Sequence, residues 1–466
     1  MIYESTRGAA AHLGFADVTL KGLAEDGGLY LPRSWPTLEA DRIRAMRGLP
    51  YPELAFRILS CFTGNDIPGD TLARLTREAY ARFDHGAIAP LKQLDTSLYV
   101  MELFHGPTLA FKDFALQFLG HLFNHLLGER GETCTIVGAT SGDTGSAAIE
   151  AVRGLEAVRL YMLHPQGKVS EVQRRQMTSV LDENIHNLAV DGTFDDCQNL
   201  VKAMFNDAGF RARHNLSAVN SINWARITAQ VVYYFRAALE LGAPDRPVNF
   251  SVPTGNFGNV LAGYVASRMG LPINRLIIGS NSNDILTRFF ESGRMEQQGV
   301  SPTLSPSMDI QISSNFERYL YELLDRDAGR IRGLMEEFAR NGRFQIAGDE
   351  LARARELFAA HRLDDGATSA EIGRVYRNSG EVMDPHSVIG VAAAREHGEP
   401  GIPTVVLGTA HPAKFADAVE TACGVSVPLP PSLKHIMEGE ERLRPVTNSL
   451  DAVRRLIDRA TRRTPD

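Results

Sequence analysis

The sequence predicts an α/β protein built from parallel sheets. From about residue 97 onward, short apolar or β-branched runs are followed by glycine-rich turns and then by helical patterns. Strands that alternate with helices in this way are typical of parallel sheets. The 466 residues are 44% hydrophobic and 23% charged, an ordinary globular composition that can bury large cores.

The predicted strands have a common pattern of an apolar run followed by a polar loop. They lie at residues 133–137, 158–163, 247–252, 273–278 and 403–407. Ligands of open parallel sheets bind outside the carboxyl ends of the strands, so we expect a functional site in these loops. Residues 299–306 and 428–431 are rich in proline or serine and are predicted to be irregular connectors.

Composition excludes several classes of protein. The net charge of -7 disfavours a generic nucleic-acid binder. The four cysteines lie far apart, which indicates neither a zinc site nor a disulfide framework and fits a reducing compartment. No apolar run approaches the roughly 20 residues that span a bilayer, and the N-terminus does not resemble a signal peptide. We therefore expect a cytoplasmic protein with no metal, membrane or nucleic-acid partner.

Lys112 is the most unusual residue of the chain, because it lies between Phe111 and Phe114 where a helical pattern begins. A lysine in apolar surroundings loses its proton more easily, and the neutral amine can form a Schiff base with a carbonyl. The alternative is a surface lysine whose stem packs on a phenylalanine while its ammonium reaches water. Lys414 is the rival candidate, with more polar surroundings and no flanking aromatic residues.

Three loops at predicted strand ends can bind polar groups. Residues 255–259 open a helix, and glycines beside a helix N-terminus suit a phosphate monoester. Residues 139–145 gather hydroxyl and N–H groups that can hold a carboxylate or phosphate, or can simply cap the next helix. In the loop 408–412, Thr409 can offer a hydroxyl to a ring nitrogen.

Polar donors elsewhere in the chain can bind oxyanions. Asn223 and Arg226 are three residues apart, on one face of a helical turn, and Lys168 follows the strand at 158–163. Each of these residues alone is more often a surface charge or a helix cap.

Several motifs taken together resemble one known family. They are His105-Gly-Pro-Thr-Leu-Ala-Phe-Lys-Asp, Ser141-Gly-Asp-Thr-Gly145, Gly255-Asn-Phe-Gly-Asn259, Ser305-Pro-Ser-Met-Asp-Ile310 with Ser313-Ser-Asn-Phe-Glu-Arg318, and Thr409-Ala-His-Pro-Ala-Lys-Phe415. In this order they resemble the threonine synthases, specifically the longer class with an extra N-terminal domain. The resemblance covers nearly the whole chain.

The resemblance implies fold type II of the pyridoxal-phosphate enzymes, which is the tryptophan synthase β-like fold. It implies an N-terminal domain at 1–90, a large cofactor-binding α/β domain at 91–130 and 245–466, and a small α/β domain at 131–244. It also implies that the protein is a carbon–oxygen lyase acting on phosphates. The expected reaction is conversion of O-phospho-L-homoserine and water to L-threonine and phosphate, the last step of threonine biosynthesis from aspartate.

The resemblance also implies roles for single residues. Lys112 would hold pyridoxal 5'-phosphate through a Schiff base and would move protons during turnover. Thr409 would face the ring nitrogen and Asp143 the ring hydroxyl, where the shorter relatives carry asparagine. The cofactor phosphate would be held by Gly255, Asn256, Phe257, Gly258 and Asn259. Contacts with the substrate would come from Lys168, Asn223 and Arg226 at its phosphate, and from Thr140 and Ser141 at its carboxylate or phosphate, and these last two roles could be exchanged.

Two other functions stay open at this point. One is a different enzyme of the same fold, such as a threonine or serine dehydratase, which releases ammonia. The other is a catalytically silent relative that binds pyridoxal phosphate or a phosphorylated metabolite. For the threonine synthase reaction we expect a monomer or a homodimer that acts on a small molecule.

Overall fold

The computed structural model describes residues 1–140, 142–218 and 220–461. These residues form two compact units. Unit 1 comprises Met1–Thr19, Leu23–Phe111 and Ser221–Pro428, and unit 2 comprises Leu20–Gly22, Lys112–Asn220 and the chain from Leu429 onward. The division into three domains that the sequence predicts stays a prediction.

Strands and helices alternate along most of the described chain. The strands are β1 (Tyr3–Ser5), β2 (Tyr30–Pro32), β3 (Leu91–Gln93), β4 (Leu98–Glu102), β5 (Cys134–Ala139), β6 (Val158–Pro165), β7 (Ile185–Asp191), β8 (Leu216–Ser217), β9 (Val248–Pro253), β10 (Ile273–Ser280), β11 (Arg294–Glu296), β12 (Arg343–Gln345), β13 (Phe358–Arg362), β14 (Thr404–Gly408) and β15 (Arg444–Thr447). The helices are α1 (Phe15–Lys21), α2 (Ala40–Arg44), α3 (Tyr51–Thr63), α4 (Gly69–Tyr80), α5 (Lys112–Arg130), α6 (Asp143–Val152), α7 (Glu171–Thr178), α8 (Phe194–Asn206), α9 (Ala208–Arg213), α10 (Trp224–Glu240), α11 (Gly258–Arg268), α12 (Ile285–Ser292), α13 (Phe316–Leu323), α14 (Ala328–Asn341), α15 (Gly348–Leu357), α16 (Asp365–Ser379), α17 (Pro385–His397), α18 (Ala416–Cys423), α19 (Pro431–Glu438) and α20 (Leu450–Thr461). Two short 3-10 helices lie at Pro306–Met308 and Pro412–Phe415.

Unit 1 is organised around a six-stranded sheet with the order β13-β10-β9-β14-β4-β3. All neighbouring strands are parallel except β3, which runs antiparallel to β4 at one edge. Every residue of β9 and β14 is buried, as is typical of central parallel strands covered on both faces. Because β9 and β14 are adjacent and parallel, the loops that follow them leave the sheet at the same edge.

Unit 2 is organised around a five-stranded parallel sheet with the order β15-β7-β6-β5-β8. One face carries an apolar core in which strand residues such as Leu163 and Val190 pack against helix residues such as Val453 and Ile457. The loops after β5, β6 and β7 leave at the carboxyl edge of this sheet.

The five strands predicted from the sequence are confirmed, and no end differs from the predicted end by more than two residues. The connector predicted at 428–431 is only partly irregular, because α19 begins at Pro431. Proline is tolerated at the first position of a helix, where its missing N–H would have no partner inside the helix.

Within the described residues, no helix combines the length and apolarity needed to cross a membrane. The same residues contain no group of three or more histidine, cysteine, aspartate or glutamate side chains that is arranged to hold a metal ion.

Candidate active site

Lys112 is the first residue of α5 in unit 2, and its side chain is 11% exposed. Its Nζ lies 3.6 Å from Oδ2 of Asp143, the first residue of α6. Asp143 is buried, and its Oδ1 accepts a hydrogen bond of 2.9 Å from Nε2 of Gln173. The lysine therefore lies against a buried carboxylate of fixed orientation, and not in the wholly apolar setting that Phe111 and Phe114 suggest.

Thr140 determines the shape of the loop after β5. Its Oγ1 accepts hydrogen bonds from the backbone N–H groups of Gly142, at 3.0 Å, and Gly145, at 2.9 Å. The side chain is buried, so these bonds are shielded from water. The hydroxyl is thus engaged within the loop, as in the helix-cap alternative. The neighbouring candidate Ser141 lies outside the described residues.

Lys168 lies in the loop after β6 and is exposed. Its Nζ donates a hydrogen bond of 3.1 Å to the carbonyl oxygen of Gly192, which follows β7. Since β6 and β7 are adjacent and parallel, both residues lie at the carboxyl edge of the unit 2 sheet.

The loop after β9 leads directly into α11, which begins at Gly258. Phe257 has a φ of 61°, in the left-handed region that non-glycine residues seldom adopt. A Cβ placed on Gly255 would lie 3.0 Å from Cδ1 of Ile310 and 3.3 Å from Cα of Met308, so a side chain at this position would require the neighbouring segment to move by a few tenths of an ångström. The first N–H groups of a helix have no partner inside it and carry its positive dipole end, which suits an oxyanion.

Residues 313–315 brace this loop from outside. Ser313 donates through Oγ to the carbonyl oxygen of Gly255 at 2.7 Å, and the backbone N–H of Asn315 donates to the carbonyl oxygen of Asn256 at 3.1 Å. These partners use carbonyl groups of the loop. They therefore fix its shape and leave its N–H groups for other acceptors.

Asn259 is the second residue of α11 and is buried. Its Oδ1 accepts hydrogen bonds from the hydroxyls of Tyr233, at 2.6 Å, and Tyr234, at 3.1 Å. Its Nδ2 has no hydrogen-bond partner within the described part of the chain. A buried donor without a partner costs about 1–3 kcal/mol, so an acceptor that reached it would be bound favourably.

Thr409 directly follows β14 and is buried. Its backbone N–H donates to Oγ of Ser387 at 2.8 Å, and its carbonyl oxygen accepts from the N–H of Phe111 at 2.9 Å. Its own Oγ1 has no hydrogen-bond partner among residues 1–140, 142–218 and 220–461. This hydroxyl is therefore available to a ligand atom such as a ring nitrogen.

Asn223 is the N-cap of α10 and is fully buried. Its Oδ1 accepts from the N–H of Ala225 at 3.0 Å, and its Nδ2 donates to the carbonyl oxygen of Thr19 at 2.8 Å. Both ends of the amide thus take part in holding unit 1 together. A contact with substrate would have to use the remaining amide hydrogen.

Arg226 lies in the first turn of α10 and is 4% exposed. Burial lowers the pKa of its guanidinium to about 10, so the group stays charged at neutral pH. Helix α10 packs against α11, since Cδ1 of Ile227 would be 3.5 Å from a Cβ placed on Gly258. A buried cation is therefore held on the helix beside the glycine loop.

The rival Lys414 is more buried than the sequence suggests, with 5% exposure. It belongs to the 3-10 helix Pro412–Phe415, and its Nζ donates to the carbonyl oxygen of Thr108 at 2.9 Å. Burial alone does not separate the two lysines. The nearby carboxylate of Asp143 distinguishes Lys112.

Two supporting residues are not indicated by any motif of the sequence: Gln173, which holds Asp143, and Ser387, which holds Thr409. Ser170, the N-cap of α7, signals the start of the helix that carries Gln173. No sequence pattern indicates that this glutamine reaches a residue 30 positions earlier. Both residues support candidate site residues through hydrogen bonds.

Three family models match successive parts of the chain. Threonine synthase N terminus matches residues 2–80, pyridoxal-phosphate dependent enzyme matches residues 85–350, and threonine synthase, C-terminal, matches residues 387–457. The second of these models alone spans more than half of the chain.

Known proteins resemble the chain over nearly its full length. A threonine synthase from Pseudomonas aeruginosa is 52% identical, and the match covers 98% of both chains. The crystal structure of a pyridoxal-phosphate-bound threonine synthase from Brucella melitensis is 55% identical, with a TM-score of 0.98, and covers 99% of this chain and 100% of that one. Threonine synthase from yeast is 39% identical, with a TM-score of 0.95 and 99% of each chain covered.

These matches confirm the predicted fold class, the tryptophan synthase β-like fold, and the predicted cofactor class. A parallel-stranded scaffold, a glycine loop at the start of a helix and a lysine beside a buried carboxylate all agree with them. The chain belongs to the threonine synthase family of pyridoxal-phosphate-dependent enzymes.

Proposed function

We propose that this enzyme converts O-phospho-L-homoserine and water to L-threonine and phosphate. The observation that carries the proposal is Arg226, a cation held almost out of water on the helix that packs beside the glycine loop. A charge attracts an oxyanion more strongly where water is excluded. Unit 1 therefore offers two features that suit oxyanions, the first turn of α11 for the cofactor phosphate and Arg226 for the substrate phosphate.

The residues present fit pyridoxal phosphate. The hydroxyl of Thr409, which lacks a partner in the described chain, suits a ring nitrogen. The close-packed loop at Gly255 leads into the first turn of α11, whose N–H groups have no partner within the helix and suit a phosphate monoester. Asn259 would add its unused amide donor, and Asp143 would contact the ring hydroxyl. When bound, the cofactor supplies an electron sink for charge that develops on the substrate's carbon chain.

Lys112 is the group that we assign to proton transfer. It would remove the protons at the α- and β-carbons and would return one to the γ-carbon after phosphate has left. Asp143 accepts from Gln173 and faces the lysine at 3.6 Å, so the amine is held in one direction. A general base must be fixed within reach of the proton that it takes, and this arrangement would fix it.

Arg226 would dominate the contact with the substrate phosphate. The amide of Asn223 is already bonded at both ends, and Lys168 is exposed, so water weakens its attraction for an anion. Thr140 and Ser141 would contact the substrate carboxylate or phosphate through donors of this loop other than the N–H groups of Gly142 and Gly145, which the Thr140 hydroxyl already binds. The donors at the phosphate would strengthen as charge develops on the leaving group.

The test compares Arg226→Gln with Arg236→Gln, a change on the same helix of an arginine that pairs with Glu240. We expect kcat/KM for O-phospho-L-homoserine to fall about 10- to 100-fold in the first variant, because a charge-assisted bond is lost, and to change less than about twofold in the second. Phosphate release is the readout, with cofactor occupancy measured for each protein.

The same assay separates the remaining alternatives. A dehydratase would release ammonia from L-threonine or L-serine and no phosphate from O-phospho-L-homoserine. A silent relative would release neither product while binding the cofactor. Either result, or an unchanged kcat/KM for Arg226→Gln, would contradict the proposal.

Location and assembly belong to the same proposal. A cytoplasmic location fits the reducing compartment inferred from the cysteines. We expect the enzyme to be a monomer or a homodimer, and sedimentation of the purified protein measures which of the two it is.

A further inference from the structure

Unit 2 contains a cavity of about 1140 Å³ that the proposed reaction does not use. It lies at the amino ends of β6, β7 and β15, where it is lined by Arg159, Tyr161, His186 and Arg444. The loops of the candidate active site leave this sheet at the opposite, carboxyl edge. The cavity is therefore a separate feature of the same unit.

One face of the sheet forms the floor of this cavity. Tyr161 on β6 and His186 on β7 are partners in the register of the two strands. Their rings stack, with centroids 4.4 Å apart and an angle of 22° between the planes. Alternate residues of a strand share a face, so Arg159 lies on the same face as Tyr161 and Leu163. The apolar core around Leu163 thus gives way to arginines toward the amino edge.

The charge around the cavity is positive, although the whole chain is acidic. Four arginines line it: Arg159, Arg442, Arg444 and Arg459. Arg444 and Arg459 form no ion pair with any carboxylate in the described part of the chain. Three acids also line the cavity, and one of them, Asp182, already pairs with Arg153 at 2.9 Å.

The stacked histidine reports this positive environment. Burial and the charges of Arg442, Arg159 and Arg444 lower the pKa of His186 to about 4. The ring is therefore neutral at physiological pH, because a further positive charge is unfavourable at this place. The stacked rings of Tyr161 and His186 therefore form an uncharged aromatic surface beside the arginines of the cavity.

Tyr161 provides a second and independent sign of a ligand. It is 2% exposed and lines the cavity, and its hydroxyl has no hydrogen-bond partner within residues 1–140, 142–218 and 220–461. Burial raises its pKa to about 12, so the hydroxyl keeps its proton and can donate. A buried donor left without an acceptor costs about 1–3 kcal/mol, which an incoming acceptor would offset.

We propose that this cavity binds a phosphorylated metabolite with an aromatic body, of about the size of a nucleotide. Guanidinium groups bind phosphate oxygens in a bidentate geometry. The arginines that line this cavity can together neutralise the several negative charges of a phosphate ester. The stacked pair of Tyr161 and His186, with apolar neighbours such as Ile185 and Leu456, supplies a surface for the body. The volume is close to that of small-molecule sites in general.

The test is calorimetric titration of the holoenzyme, with pyridoxal phosphate bound, using ATP as the probe. Inorganic triphosphate is the charge-only arm and adenosine the body-only arm. We expect saturable binding of ATP with one site per chain, and weaker binding of both other compounds. Equal affinity for ATP and triphosphate would overturn the aromatic part of the proposal, and no saturable binding of ATP would overturn all of it.

Two variants locate the site. Arg444→Gln combined with Arg459→Gln should weaken ATP binding at least about tenfold, because two charge-assisted contacts are lost. Arg455→Gln is the matched control on the same helix, outside the cavity, and should leave the affinity unchanged. Equal affinities in the double variant and the parent enzyme would show that ATP binds elsewhere and would overturn the proposal.

Tyr161→Phe separates a ligand contact from a structural role. Among the described residues the hydroxyl has no partner to lose, so the melting temperature should not fall. The affinity for ATP should fall about 2- to 10-fold, as expected for one lost hydrogen bond. A lower melting temperature with unchanged affinity would contradict the role of this hydroxyl.

Discussion

The loop that follows β5 in unit 2 and the loop that follows β9 in unit 1 both join a parallel strand to a helix through glycines, yet they use their polar groups in opposite ways. The first loop is closed by its own side chain, since the hydroxyl of Thr140 accepts from the N–H groups of Gly142 and Gly145. The second is held from outside by Ser313 and Asn315, which bond to its carbonyl groups.

This difference decides which loop has backbone N–H groups left to bind an oxyanion. A loop that satisfies its own N–H groups has fewer donors for a ligand, whereas a loop braced through its carbonyls keeps them. This contrast supports the proposal that the loop after β9 binds a phosphate. The loop after β5 holds Asp143 beside Lys112.

Substitution of Lys112, the residue that the loop after β5 places beside Asp143, is expected to have the largest effect on activity. Lys112→Ala should lower phosphate release from O-phospho-L-homoserine by about 1000-fold or more and should change the visible absorption of the bound cofactor, because we propose that the amine serves both proton transfer and cofactor attachment. Lys414→Met is the control, since that lysine is also buried but is bonded to a backbone carbonyl. If Lys414→Met loses the visible absorption and Lys112→Ala keeps it, the two lysines have been assigned in the wrong order.

The second prediction tests whether the Thr140 hydroxyl stabilises the loop after β5. Thr140→Val keeps the shape of the side chain but leaves two backbone N–H groups of the loop without their acceptor. We expect the free energy of unfolding to fall by about 1–3 kcal/mol, measured on the protein without cofactor by thermal or urea unfolding. An unchanged stability would mean that the hydroxyl does not close the loop.

The same substitution at Thr409, which directly follows β14 in unit 1, is expected to have the smallest effect on stability. Thr409→Val removes a buried hydroxyl that lacks a partner in the described chain, so the stability without cofactor should not fall. Its dissociation constant for pyridoxal phosphate, measured by titration, should rise about 2- to 10-fold because a contact with the ring is lost. Equal destabilisation by Thr140→Val and Thr409→Val would mean that a hydroxyl bonded within its own loop contributes no more to stability than one without a partner in the described chain.

Local patterns explain how much of the fold could be predicted. Apolar runs located the five predicted strands, and the helical pattern after Phe111 located the start of α5 at Lys112. The helix at Pro431 was missed because proline breaks helices in their interior but is favoured at their start, and the sequence alone does not show which applies.

The candidate site was predictable where its chemistry lies in short motifs, and not where it depends on distant contacts. Motifs gave Lys112 and the glycine loop, but the burial of Lys414 and the support of Asp143 by Gln173 arise from packing between segments far apart in sequence. The same holds for Asn223, whose amide is bonded to Thr19, about 200 positions away.

Arg318 shows how the N-terminal segment is connected to chemistry carried by later residues. Its guanidinium donates to the carbonyl oxygen of Tyr30 at 2.8 Å and to Oδ1 of Asn315 at 2.5 Å, and Asn315 in turn holds Asn256. Residues 2–80 match a family model of their own, but Tyr30 is bonded to Arg318 of the segment that supports the glycine loop. A protein engineer who trimmed them, or exchanged them for those of another enzyme, would remove the far anchor of the glycine loop. The two segments have to be redesigned as one piece.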